Sequence, residues 1–158
     1  MPSRREIIQL SDAEIQDYLR AQKTLIIVSN GKDGYPHPMP MWFYADAEGC
    51  LYCTTFSKAQ KVLNFQRDPK AALLVESGEE YAELKSVLIY ADAEVISDHD
   101  AVCDVLVSIT TKGREDVSAD ELAKIRAGVS KTAEKRVALK FTPKRYVSWD
   151  HSRLGGKY

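Results

Sequence analysis

Apolar positions along this chain repeat at two periods, and the switches between the periods divide it into elements. In "SDAEIQDYLRAQ", Ile15, Tyr18 and Leu19 share one helical face. Ser11 stands three residues before Glu14, a capping box that predicts a helix over residues 12–22. The β-branched run "TLIIVSN" (24–30) reads as a buried strand. "GKDG" supplies a turn, and "YPHPMPMWFYA" (35–45) resumes an extended course. Pro36, Pro38 and Pro40 cannot donate to a sheet ladder, so this strand is an edge, or its N–H side faces something other than a strand.

A second turn, "DAEG" (46–49), leads into "CLYCTT" (50–55). Ser57 with Gln60 resembles another capping box and predicts a helix over residues 58–67, which "RDP" then stops. Strands follow at 71–77 and 84–97, the second with Val87, Ile89, Ala91, Ala93 and Val95 on one face. Val102, Leu106 and Ile109 have helical spacing, and Ser118 with Glu121 opens a further helix at about residue 119. The chain returns to strand in "RVALKFTP" and "RYVSWD" and ends in "HSRLGGKY".

Sequential hairpins, rather than alternating βαβ units, predict a mainly β chain with flanking helices, its antiparallel sheet closed as a small barrel of six strands. One domain over residues 1–158 is expected, with an N-terminal helix inside 1–22 and a helical insertion at 98–135. No G-x-G-x-x-G follows the first strand and no G-x-x-x-x-G-K-[ST] occurs, which argues against Rossmann and P-loop nucleotide sites.

Composition narrows the function classes. Lysine plus arginine number 22 against 23 acids, so no broad basic surface argues for nucleic acid or membrane. The start lacks the apolar core of a signal peptide and no apolar run reaches transmembrane length, so a cytoplasmic protein is expected. Cys50 and Cys53 form a lone "CLYC" with no second pair or nearby histidine, better read as strand than as a zinc or redox centre. His37, His99 and His151 are scattered, and Cys103 falls on an apolar helical face as a packing residue.

The sharpest chemistry sits in "CTTFSKAQK". Thr54, Thr55, Ser57, Lys58 and Lys61 gather where a strand hands over to a helix. Such a junction points free N–H groups and the positive end of the helix dipole at solvent, and it favours an anion, most often a phosphate. The plainer account makes Ser57 a helix cap and the lysines solvated surface charges. Against it, Lys58 in a first helical turn would oppose the dipole, a conflict that an anion relieves.

These segments resemble the flavin-binding split-barrel family related to pyridoxamine 5'-phosphate oxidase, which includes reductases using a deazaflavin coenzyme. The resemblance runs from about Lys23 to the C-terminus. It is carried by "VSNGKDGYPHPMPMWF", "TTFSKAQKVLNFQRDPKAALLVESG", "YAELKSVLIYADAEV" and "SWDHSRLGGKY". It implies an antiparallel split β-barrel and a homodimer with two cofactors at its interface. It further implies that Pro38, Met39, Pro40, Met41, Trp42 and Phe43 lie along the cofactor ring, mainly through backbone groups. Thr54, Thr55 and Lys61 match the phosphate clamp. Where the oxidases carry Ser-Arg-Lys this chain has Ala59-Gln60-Lys61, and Lys58 is the candidate for the second charge. Glu76 and Ser77 match a strand that meets the partner's cofactor, and Trp149 matches a C-terminal tryptophan near it.

The resemblance therefore implies an oxidoreductase using FMN or the deazaflavin coenzyme F-420 on a small organic substrate. The oxidase's C-terminal substrate motif is missing, which argues against vitamin B6 phosphate. The alternative is a flavin-, deazaflavin- or haem-binding protein without turnover. Tyr44, His37 and Tyr158 are candidates for proton delivery. Gly155 and Gly156 suggest a hinge that folds the tail across the dimer interface.

Overall fold

A computed structural model describes residues 3–155. The chain opens with α1 (Arg4–Ile8) and α2 (Asp12–Ala21). The one helix expected within 1–22 is thus two, because Ser3 with Glu6 forms a capping box of its own ahead of the predicted Ser11–Glu14 box. The strands are β1 (Thr24–Asn30), β2 (Pro36–Trp42), β3 (Tyr44–Ala45), β4 (Leu51–Phe56), β5 (Lys70–Ser77), β6 (Lys85–Ile96) and β7 (Arg136–Asp150). Between them lie α3 (Gln60–Arg67), α4 (His99–Thr111) and α5 (Ala119–Ala133). The last two fill the expected helical insertion.

All strand pairs are antiparallel, in the order β2-β1-β5-β6-β7-β4-β3. β2 and β3 therefore sit at opposite edges of the sheet, yet only Phe43 separates them in sequence. The sheet must curl until its edges meet there, which makes it a split barrel. The extended run expected over 35–45 thus serves both edges as two strands, and the described residues hold seven strands where a barrel of six was expected.

Pro36, Pro38 and Pro40 lie opposite Asn30, Val28 and Ile26. They share one parity on an edge strand, whose alternate amides point away from its only ladder neighbour, so their missing donors are tolerated. The two strands expected at the C-terminus are one. Tyr90 pairs with Arg145 and Ala91 with Pro143, so Lys144 is the extra residue of a β-bulge that accommodates the proline.

α3 begins at Gln60, not Lys58, and its N-cap Ala59 brings no side-chain bond. Ser57 is held by the sheet instead: its N–H donates to Lys135 O at 3.0 Å, and Ala59 N–H donates to Phe56 O at 3.0 Å, closing a turn. Lys58 therefore sits in a turn before the helix, and its expected conflict with the dipole does not arise.

The barrel interior is packed by residues such as Leu19, Ile27, Phe43, Cys53, Leu73 and Ile89, with the Phe65 and Phe141 rings edge to face at 5.5 Å. A second, smaller core joins α4 and α5 to the outer sheet through Val102, Cys103, Val105, Ala133 and Ala138. Lys112, just past α4, fastens this layer to the barrel. Its Nζ donates to the carbonyls of Leu19 (3.1 Å), Gln22 (2.5 Å) and Phe43 (3.1 Å) and stands 3.6 Å above the Phe43 ring. Burial pushes this ammonium down to about 8.

Candidate cofactor-binding site

Strand alternation splits the threonine pair of β4. Leu51, Cys53 and Thr55 face the barrel interior, whereas Tyr52, Thr54 and Phe56 face outward. Lys61, the second residue of α3, joins the inner set. Helical Cα–Cβ bonds tilt toward the N-terminus, so its side chain runs back along β4, where Nζ donates to Thr55 Oγ1 at 3.2 Å. Lys61 is only 7% exposed, and among the described residues no carboxylate pairs with it. A buried ammonium with one hydroxyl acceptor and no counter-charge is costly unless an anion completes its shell.

The start of α3 adds donors to that place. Val62 and Leu63 make the first helical bonds, both to Ala59 O, which leaves the N–H groups of Gln60 and Lys61 without protein acceptors among the described residues. Beneath them, burial pushes the Cys53 thiol up to about 12, against the opposing pull of Lys61. That thiol is inert, in keeping with the strand reading of "CLYC". Among the described residues no cluster of His, Cys, Asp and Glu could hold a metal.

The rest of the "KVLNFQRDP" stretch is structural. Asn64 is fully buried; its amide donates to Ser29 Oγ at 2.9 Å and accepts from Gln60 Nε2 at 3.0 Å, seating α3 on β1. Asp68 accepts from Asn30 Nδ2 at 2.7 Å and Lys70 N–H at 3.1 Å.

Two clefts flank this junction. The larger, about 590 Å³, is lined by the turn from Gly31 to Tyr35, then Pro36, His37, Gln60 and Asn64. Gly31 is obligatory in that turn, since a Cβ there would lie 2.3 Å from Tyr35 O. The second, about 360 Å³, lies on the outer face. Pro40, Met41 and Trp42 of β2 and Thr54 of β4 meet Leu106 and Ile109 of α4, Thr132 of α5 and Arg136 there. Arg136 was not anticipated, because it joins the site only through the β4–β7 register, which sets it opposite Phe56.

The expected residues divide accordingly. Thr55, Gln60 and Lys61 gather at the start of α3, and Pro40, Met41, Trp42 and Thr54 gather in the outer cleft. Pro38 is exposed, Met39 packs on the barrel core, and Phe43 is buried with its carbonyl taken by Lys112. Ser57 and Lys58 are exposed in the turn. Glu76 is exposed, while the Ser77 hydroxyl meets Tyr18 Oη at 2.8 Å. Trp149 is half-buried opposite Ser86. These last three line neither cleft of their own protomer. Tyr44 stacks on Tyr52 at 4.9 Å, and burial pushes its phenol up. The tail's described part, a 3-10 turn at His151–Leu154, docks on its own chain: Arg153 donates to Gln9 O at 2.8 Å and Glu14 at 2.5 Å. Gly156 and Tyr158 lie outside the described residues.

Fold and site together define a split-barrel protein with a buried lysine at a strand-to-helix junction. The sequence profile of pyridoxamine 5'-phosphate oxidase matches residues 11–150, and the chain belongs to that family. No curated protein sequence matches it. Among solved structures, a conserved hypothetical protein from Mycobacterium tuberculosis is similar at 29% identity and a TM-score of 0.84, over 99% of this chain and 95% of that one. An F420 reductase is similar at 18% identity and a TM-score of 0.61, over 83% and 94% of the two chains. A haem storage protein from Vibrio cholerae is similar at 17% identity and a TM-score of 0.63, over 87% and 94%. The last two likenesses concern the fold alone.

Proposed function

We propose that this protein binds FMN or the deazaflavin coenzyme F-420 at the start of α3 and uses it to reduce a small organic compound. The observation that carries the proposal is Lys61, a buried cation beside Thr55 that has no carboxylate among the described residues, joined by two amides of α3 with no acceptor among them. That donor set suits a phosphate. When bound, the cofactor supplies the hydride chemistry. The chain's own groups fix its position: Lys61, Thr55 and the amides hold the phosphate, and the edge strand β2 offers backbone and the Trp42 ring beside it. Glu76, Ser77 and Trp149 are proposed to act across a homodimer interface, as the family resemblance implies.

An absorbance scan of purified protein, followed by titration with FMN and with F-420, tests this. Flavin or deazaflavin bound in equimolar amount supports it. A Soret band with no affinity for either coenzyme would replace it with haem binding without turnover.

A further inference from the structure

We infer that Arg136 binds an oxyanion, a carboxylate or phosphate, at one end of a ligand whose apolar body fills the outer cleft. The inference rests on the cofactor site proposed above for its location, but concerns a second charge centre that nothing in that site requires.

A guanidinium offers five N–H donors. In Arg136, Nη1 makes one long contact, 3.5 Å to Thr54 Oγ1, and Nε is buried with no acceptor. No carboxylate pairs with it among the described residues. The Phe56 ring lies 4.7 Å from its Cζ. Phe56 is itself 59% exposed, so a surface cation–π contact leaves the buried Nε still without an acceptor. An arginine beside an aromatic ring, with most donors unused at a cleft, suits two-point binding of an oxyanion. Trp42, Leu106 and Ile109 give the cleft apolar lining, interrupted by Thr110 and Thr132.

Arg136 does not duplicate Lys61. Thr54 and Thr55 are successive strand residues, so the two cations they contact lie on opposite faces of β4. The second oxyanion has two sources: an acidic group of the cofactor beyond its first phosphate, or a carboxylate on the substrate.

Calorimetric titration of the full-length parent, R136Q and R136K with FMN, F-420 and benzoate separates them. R136Q should weaken at least one probe roughly ten- to hundredfold, the value of a charge-assisted contact, with R136K intermediate. Melting curves establish that both variants are folded, and R136K keeps the test valid should R136Q fail to fold. Weakening of a coenzyme assigns the oxyanion to the cofactor, and weakening of benzoate assigns it to the substrate; either supports the inference. Unchanged affinity for every probe that the parent binds overturns it, as does a parent that binds none of the three. Benzoate binding through Arg136 without coenzyme binding would defeat only the cofactor proposal. Coenzyme binding in a parent whose every probe is indifferent to both substitutions would defeat only this inference.

Discussion

Single side chains here carry charge in unequal circumstances, and the differences are measurable. Among the described residues Lys61 and Arg136 are cations without carboxylates, whereas Asp150 is an anion fully provided for. Burial alone would raise the Asp150 carboxyl, but bonds from Ser152 N–H (3.1 Å) and Oγ (2.6 Å) and the Lys85 ammonium at 3.4 Å outweigh it and hold the group below its ordinary value of 3.8. A depressed carboxyl stabilises the fold fully above its unfolded value and loses that contribution as pH falls through the folded one. D150N should therefore cost about 1.5–3 kcal/mol at neutral pH. Denaturant titrations at pH 7 and near pH 3 should show the gap between parent and variant closing at the acid end. A gap of equal size at both would contradict the role given to Asp150.

At the scale of elements, Lys112 does the work of a fastening. Its three carbonyl acceptors come from α2, the residue after it, and the link between β2 and β3, so one ammonium joins the helical layer to the point where the barrel's edges meet. K112M should remove donors from buried carbonyls and destabilise the fold by about 1–3 kcal/mol, read as a lower denaturation midpoint. No change would mean that the α4 layer is held by its apolar core alone. Such long-range ties are what a linear pattern hides. The Ser11 box, the "TLIIVSN" strand and the proline edge were legible because capping, β-branching and missing donors are local. The start of α3 was misjudged because Ser57 is captured by Lys135, a partner distant in sequence. The break expected at Pro143 was absorbed by a bulge whose need depends on β6. Arg136 stayed invisible for the same reason: only the register of β4 with β7 brings it to Thr54.

At the scale of the molecule, the surface beside the clefts asks for a cover. Tyr35 is 75% exposed, Trp42 72% and Phe56 59%, all within or beside the proposed site. A second copy would bury them and bring Glu76, Ser77 and Trp149 toward the partner's cofactor, so sedimentation at micromolar protein should report a dimer. A stable monomer that still holds cofactor would contradict that arrangement. Titration of FMN and riboflavin into parent and K61A tests whether the start of α3 is a phosphate site, because the two ligands differ only by the phosphate. A phosphate site there predicts that the parent prefers FMN. It also predicts that K61A loses roughly ten- to hundredfold in FMN affinity, the value of a charge-assisted hydrogen bond, while binding riboflavin as the parent does. Equal FMN affinity in parent and K61A, with both folded, would contradict it.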